Sequence, residues 1–272
     1  MLKHKATPLF IPSELGPLFA MYFTSSSRSN SQCIVHIPAF AEEMNKSRHM
    51  VSMQARAFAD QGYSVLVFDL WGTGDSQGEF SEATLEIWLN NIESVISWLH
   101  DKGYQSIHLW GLRTGVLLAM DYVHKYNSCI DQLICWQPVL NGEQFVMQFL
   151  RLRVAAAMMD KNAPQEKTSD LKKQLMDGQS IEVAGYLLNP GLMIPMMDIR
   201  VNNFSLNNIK RCYVFELTEG VELQANYATA QWAEEQEGKV VIDVINGSCF
   251  WATQEISESI ELIDQSLLTV TE

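Results

Sequence analysis

The chain of 272 residues is long enough for one α/β domain with an insertion or for two small domains. Its hydrophobic content of 47% is typical of a globular protein and excludes a disordered chain. The net charge of -13, with no cluster of Lys and Arg, argues against binding of nucleic acids or anionic membranes through bulk electrostatics. No apolar run reaches the roughly 20 residues of a membrane span, so we expect a cytoplasmic protein.

The cysteines are odd in number and none has the C-x-x-C spacing of a metal site. We interpret them as reduced core thiols, and we expect neither a metal nor a cofactor. The five are Cys33, Cys129, Cys135, Cys212 and Cys249.

Strand-like and helix-like segments alternate along most of the chain. Because parallel strands need a crossover between them, this alternation predicts a mainly parallel, doubly wound sheet. In chain order we predict a hairpin over 8–23, a strand at 33–38, a helix from about 48 to 61, a strand at 63–69, a helix capped by Ser81 and ending at Gly103, a strand at 106–110 with a helix after it, a strand at 132–136, strands at 211–217 and 239–245 with a helix between them, and a last helix from Thr253.

The alternation stops between residues 143 and 205, a segment that is helix-like and has no convincing strand. We interpret 143–205 as a helical cap over the active-site end of a core formed by 1–142 and 206–272. Methionines are concentrated in the cap, and they either line an adaptable apolar pocket or pack the cap onto the core. They are Met147, Met158, Met159, Met176, Met193, Met196 and Met197.

The pentapeptide Gly111-Leu112-Arg113-Thr114-Gly115 joins a predicted buried strand to a predicted helix. Two glycines around a protruding residue at this junction resemble the G-x-S-x-G nucleophile elbow of α/β-hydrolases. His36-Ile37-Pro38-Ala39-Phe40 sits where the H-G loop of these enzymes supplies an oxyanion-hole amide, and the segment 69–76 resembles their D-x-x-G-x-G-x-S turn. The resemblance covers nearly the whole chain and implies an α/β-hydrolase fold with a cap.

A narrower resemblance rests on three segments: Phe40-Ala41-Glu42-Glu43-Met44-Asn45-Lys46-Ser47-Arg48, the elbow pentapeptide, and Trp136-Gln137-Pro138-Val139. These are similar to the bacterial exosortase A system-associated hydrolases of the second type. The resemblance implies a carboxyl-ester hydrolase in an exopolysaccharide and protein-sorting context, and it admits a protein partner there. Fold analogy does not establish the chemistry, which depends on the site.

Two of the three members of a serine-hydrolase triad are missing from the sequence. Arg113 occupies the nucleophile position, and a guanidinium stays protonated and cannot attack a carbonyl. The acid position falls near Glu216 or Glu219, but the loop 246–251, where the histidine belongs, has none. No histidine follows His124, so orthodox Ser-His-Asp catalysis is not expected.

Three roles remain open for Arg113. At a helix N-terminus it could anchor a carboxylate, phosphate or sulfate. It could instead pair with Glu42 or Glu43, because a buried arginine needs a partner, and Lys46 and Arg48 could balance the glutamates. In the third role, one of these glutamates activates a water molecule while Arg113 polarises a substrate carbonyl.

These alternatives define the candidate residues. The expected ligand is a small anionic or acyl molecule. The catalytic candidates are Arg113, Glu43, Glu42 and Glu216. The ligand-binding candidates are His36, Phe40, Lys46, Leu112, Thr114 and Cys249, the last of which could also act as a thiol nucleophile.

Overall fold

The structure is a computed structural model that describes residues 4–25, 31–128, 130–159, 165–220 and 223–271. The strands are β1 (His4–Ile11), β2 (Leu18–Ser25), β3 (Gln32–Ile37), β4 (Ser64–Phe68), β5 (Ser106–Leu112), β6 (Ile130–Trp136), β7 (Ile181–Val183), β8 (Tyr186–Leu188), β9 (Ile209–Thr218) and β10 (Val240–Asn246). The α-helices are α1 (Glu42–Asp60), α2 (Leu85–Asp101), α3 (Thr114–Tyr126), α4 (Gly142–Met159), α5 (Thr168–Met176), α6 (Pro190–Asp198), α7 (Tyr227–Glu234) and α8 (Ile260–Thr271). Short 3-10 helices span Phe80–Glu82 and Val201–Asn203.

Eight strands form one sheet in the order β1-β2-β4-β3-β5-β6-β9-β10. β1 and β2 form the predicted antiparallel hairpin, β2 is antiparallel to β4, and all other neighbours are parallel. Alternate side chains of the central strands enter two hydrophobic clusters: Val35 packs with α2, α3 and the cap, and Ile34 packs with α1 and α8. The predicted mainly parallel, doubly wound sheet is confirmed, and burial on both faces explains why its strands are nearly all apolar.

The cap contains α4, α5, the hairpin of β7 and β8, and α6. The expectation of a cap without strands was wrong, because strands of three residues are too short to give an alternating pattern. The methionines do not share one role. Met193, Met196 and Met197 are buried in the cluster that joins the cap to α2, whereas Met158, Met159 and Met176 are exposed.

Several predicted helix boundaries were wrong. α1 begins at Glu42, six residues before its predicted start. α2 is capped by Thr84, whose hydroxyl accepts from the Ile87 amide at 3.2 Å, and Ser81 lies in a 3-10 helix instead. α8 begins at Ile260, and the Thr253 hydroxyl donates to backbone carbonyls of a turn rather than capping a helix. Local polar bonds therefore explain the boundaries of α2 and α8, whereas α1 begins without a side-chain cap.

The thiols of Cys33, Cys135 and Cys212 are free and buried, and Cys249 is free and partly buried. Cys129 lies outside the described residues. In the described part of the chain, no helix is long and apolar enough to cross a membrane.

Two buried histidines, His36 on β3 and His108 on β5, lie on neighbouring strands of the sheet. Nδ1 of His36 lies 3.1 Å from the backbone carbonyl oxygen of Trp110, so a neutral ring can donate there. Burial lowers the pKa of His36 to about 3, with a further lowering from the Arg48 charge. Burial also lowers the pKa of His108 to about 4. Both imidazoles are therefore neutral in the folded protein at neutral pH.

This burial predicts a loss of stability in mild acid. Below the unfolded-state histidine pKa of about 6.5, the unfolded chain takes up protons that the folded chain refuses. The stabilising effect is complete above that value and is lost as the pH falls toward 3. We expect His36→Asn, whose amide can still donate to the Trp110 carbonyl, to flatten the pH dependence of the unfolding free energy by up to about 1.4 kcal/mol per pH unit. Urea unfolding at pH 7, 6, 5 and 4 measures this, and identical slopes in parent and variant would contradict it.

Candidate active site

The elbow is built as a strained turn between β5 and α3. Arg113 has φ 55° and ψ -117°, a conformation that a non-glycine residue adopts at a strain of about 1–3 kcal/mol. A Cβ on Gly111 would collide with the Val116 amide, and one on Gly115 would collide with the Ile37 carbonyl, so both glycines are needed for the close packing. The Arg113 amide donates to the Trp136 carbonyl oxygen at 2.9 Å, which ties the turn to β6. The turn therefore projects whatever side chain occupies position 113.

The side chain of Arg113 forms an ion pair with Glu43. Its Nε lies 3.2 Å from Oε1 and 3.4 Å from Oε2 of Glu43. The two side chains are 20% and 26% exposed, so the pair is only partly hydrated. Burial raises the pKa of Glu43, although the charges of Arg113 and Lys46 oppose the rise. Of the two glutamates that the sequence left open, the structure pairs Glu43 with the arginine.

Glu42 and Lys46 point elsewhere. The Tyr186 hydroxyl, in β8 of the cap, donates to Oε1 of Glu42 at 2.7 Å. Lys46 Nζ donates to the Ala252 carbonyl oxygen at 3.3 Å. Glu42 thus attaches the cap to the start of α1, and Lys46 attaches α1 to the loop after β10.

The terminal nitrogens of the Arg113 guanidinium have no acceptor in the part of the chain that the structure describes. Within the described residues, its hydrogen bonds to Glu43 are made by Nε, and none is made by Nη1 or Nη2. The guanidinium carbon also lies 5.6 Å from the ring centroid of Trp251, a distance suited to cation–π attraction. Glu43 and Trp251 therefore orient the group while its outer donors stay available.

Arg113 lines a cleft of about 430 Å³ at the carboxyl ends of β5, β6 and β9. This is the edge of a parallel sheet where ligands bind in open α/β folds. The walls are rich in carboxamide side chains, which also come from the start of α4, the segment after α6 and the start of α7. They are Gln137, Asn141, Gln144, Gln148, Asn202, Asn203 and Asn226.

Glu216 also lines the cleft, but its carboxylate is already satisfied. It is buried, and it accepts from the Asn226 amide at 2.6 Å and from the Thr229 hydroxyl at 2.5 Å. These bonds fix the start of α7 against β9. The described hydrogen bonds of Glu216 therefore hold a helix rather than orient a base.

Most of the predicted ligand-binding residues lie away from this cleft. His36 lines a separate cavity of about 220 Å³ between α1 and the sheet. Phe40 packs edge-to-face against Phe80, Trp88, Phe145 and Phe149 and so joins the core to the cap. Leu112 and Thr114 are buried. Leu112 and Thr114 flank the centre of the elbow, which projects its central side chain and buries its neighbours.

Cys249 is close enough to Arg113 to feel its charge, but burial and the Glu219 charge raise the pKa of its thiol. A thiol with a raised pKa is mostly protonated at neutral pH and is a poor nucleophile. Among the described residues, no group of three or more His, Cys, Asp or Glu side chains is arranged to hold a metal ion.

The carboxamides of the cleft were missed in the sequence. Gln137 directly follows β6, and Asn141, Gln144 and Gln148 follow it within eleven positions. Polar residues just past the carboxyl end of a central strand are a usable signal for a ligand site. In the sequence, the methionines are instead the conspicuous feature of the segment 143–205.

The Arg113–Glu43 pair gives a prediction about stability. We expect Arg113→Met to lower the unfolding free energy at pH 7 by about 1–2 kcal/mol, because it leaves a half-buried carboxylate without its cation. The loss should shrink toward pH 5, since removing the guanidinium raises the pKa of Glu43 further and the carboxyl then protonates. Denaturant unfolding of Arg113→Met, Glu43→Gln and the double variant measures the coupling. Additive effects, or a loss that does not change with pH, would contradict the pairing.

Comparison with known proteins identifies the family and supports the fold. Residues 29–213 match the sequence model of the family described as serine aminopeptidase, S33. Est1E from Butyrivibrio proteoclasticus, solved with bound ferulic acid, has a TM-score of 0.69 and 18% identity over 97% of this chain and 100% of its own. A Pyrococcus furiosus esterase has a TM-score of 0.62 and 14% identity over 99% and 91% of the two chains.

A further solved structure, a serine hydrolase without a lid from Xanthomonas campestris, has a TM-score of 0.59 and 14% identity over 98% of this chain and 94% of its own. No curated protein sequence matches the chain. At these identities the solved structures establish the α/β-hydrolase fold alone.

Proposed function

The chain belongs to the serine aminopeptidase S33 family of α/β-hydrolases, and from this premise we propose that it is a member with a degenerate triad that binds a small anionic molecule in the cleft under its cap. Arg113 at the elbow is the anchor for the negative charge. The observation that carries the proposal is that the guanidinium nitrogens have different partners. Nε donates to Glu43, while Nη1 and Nη2 have no acceptor within the described residues.

This arrangement suits a carboxylate. Two parallel N–H···O bonds from a fixed guanidinium give bidentate recognition. The N-terminus of α3, which follows Arg113 directly, has no side-chain cap, so its amides add to the favourable potential for an anion. The pairing with Glu43 and the binding of a ligand are thus compatible, because they use different nitrogens.

Other features of the site argue against acyl-enzyme chemistry. The elbow offers no nucleophile, the thiol of Cys249 has a raised pKa, and the carboxylate of Glu216 is used by α7. The chain has no histidine after His124 to serve as a base. A binding function needs none of these groups.

The narrower resemblance extends the proposal to a context. Similarity to the exosortase A system-associated hydrolases supports a bacterial protein that works beside exopolysaccharide assembly and protein sorting. A cytoplasmic location and a protein partner from that system are part of the same proposal.

The alternative is an atypical hydrolase of ester or acyl substrates in which Glu43 activates water and Arg113 polarises the carbonyl. The raised pKa of Glu43 favours it, because a general base works best with a pKa near the working pH. However, both carboxylate oxygens face the Arg113 Nε, and Glu43 is not among the residues that line the cleft. Binding is therefore the better supported function.

Carboxylate binding is the first test. We expect small carboxylates at millimolar concentration to raise the Tm of the protein by several degrees, because a ligand of the folded state stabilises it by mass action. Arg113→Met should abolish the shift. Arg56→Met, which removes an exposed arginine outside the cleft, serves as the matched control and should retain it. A protein that no anion stabilises, or a shift that survives in Arg113→Met, would overturn the proposal.

The absence of acyl-enzyme chemistry is the second test. We expect a fluorophosphonate probe to leave the protein unlabelled and short acyl esters to be hydrolysed no faster than in buffer. Ester hydrolysis that is lost in both Arg113→Met and Glu43→Gln, with the variants folded, would support the water-activation alternative instead. Robust fluorophosphonate labelling would contradict both readings, since it requires an activated hydroxyl nucleophile.

A further inference from the structure

We propose, resting on the proposed function, that the ligand of the cleft is a polyhydroxylated carboxylate, that is, a sugar acid, rather than a simple aliphatic acid. The inference comes from which ends of the cleft carboxamides are free. A carboxamide offers an acceptor oxygen and a donor nitrogen, and a bond made by one end determines what the other end presents.

Three of the carboxamides have their oxygens occupied by backbone amides. Gln137 Oε1 accepts from the Leu217 amide at 2.7 Å. Asn141 Oδ1 accepts from the Gln144 amide at 3.0 Å, and Asn226 Oδ1 accepts from the Ala228 amide at 2.9 Å. Because a backbone N–H can only donate, the oxygen assignment is fixed in each case. Among the described residues their NH₂ groups have no acceptor, so these groups are left as donors.

The cleft is consequently rich in donors. The Nη1 and Nη2 groups of Arg113 stand at one wall, and the NH₂ groups of Gln137, Asn141 and Asn226 belong to residues that line the same space. Each oxygen of the lining carboxylate, Glu216, already accepts one hydrogen bond from the protein. A ligand that fits must bring several acceptor oxygens in addition to its carboxylate.

An aliphatic acid does not meet this requirement. Its chain would cover the amide donors without providing acceptors, and an unpaired donor that is removed from water costs about 1–3 kcal/mol. Hydroxyl groups of a sugar acid accept from these amides, and they donate to the exposed carboxamides of Gln144, Gln148, Asn202 and Asn203, which can turn either end toward the ligand. The cleft volume of about 430 Å³ lies in the usual range for a small-molecule site.

Calorimetric titration of the full chain with four probes tests the inference. The probes are glucuronate, galacturonate, hexanoate and the neutral methyl glucoside. We expect at least one uronate to bind about tenfold or more tightly than hexanoate, because its hydroxyls satisfy donors that the alkyl chain leaves unpaired. The glucoside should bind far more weakly than the uronate, and Arg113→Met should abolish binding of both acids.

A second variant isolates the amide donors. Asn141→Ser combined with Asn226→Ser keeps an oxygen to cap α4 and α7 but removes both NH₂ groups. We expect it to weaken uronate binding about 5- to 10-fold and to leave hexanoate binding unchanged. Asn189→Ser is the matched control, since Asn189 caps α6 in the same manner outside the cleft. It should leave both affinities unchanged.

The outcomes separate this inference from the proposed function. If hexanoate binds as tightly as both uronates, or if the double variant weakens the two classes of acid equally, the sugar-acid inference is overturned while anion binding at Arg113 stands. If neither class of acid binds, or if binding persists in Arg113→Met, the proposed function fails and the inference fails with it.

Discussion

The ion pair between Arg113 and Glu43 is the interaction on which the rest of the site depends. A guanidinium at a strained elbow, in a region that is only partly hydrated, needs a counter-charge nearby. Glu43 supplies it from the first turn of α1, and it uses Nε alone. The position that hosts a nucleophile in an active hydrolase thereby becomes a fixed donor that faces the cleft. The elbow geometry of the α/β-hydrolase fold thus carries a charged side chain at its centre.

The cleft beside Arg113 is polar. Three carboxamides of its walls cap helices or bind a strand amide through their oxygens, so under the proposed function their nitrogens serve the ligand. The methionine-rich part of the cap lies in the core or at the surface instead. In the separate cavity near His36, by contrast, apolar side chains such as Met21, Phe23 and Val67 form much of the wall. The two spaces therefore suit different chemistries, and the charged elbow opens into the polar one.

Much of the fold could be predicted from the sequence, because a mainly parallel sheet buried on both faces leaves continuous apolar strands and regular alternation. The elbow could also be predicted, since Gly111 and Gly115 are required by close backbone approaches. The partner of Arg113 could not, because Glu42 and Glu43 are adjacent and their directions depend on where α1 begins. The cleft walls were missed because residues far apart in the chain, such as Gln137 and Asn226, meet only in the folded protein.

The neighbouring residues Glu42 and Glu43 connect the start of α1 to two different parts of the molecule. Both sit on the first turn of α1, yet Glu42 accepts from Tyr186 of the cap and Glu43 from the elbow arginine. That turn follows Ala41, whose φ of 52° and ψ of -126° nearly repeat the backbone angles of Arg113. The first turn of α1 therefore contacts the cap through Glu42 and the elbow through Glu43. Because both carboxylates belong to one helical turn, a displacement of that turn would move the contact to Tyr186 and the contact to Arg113 together.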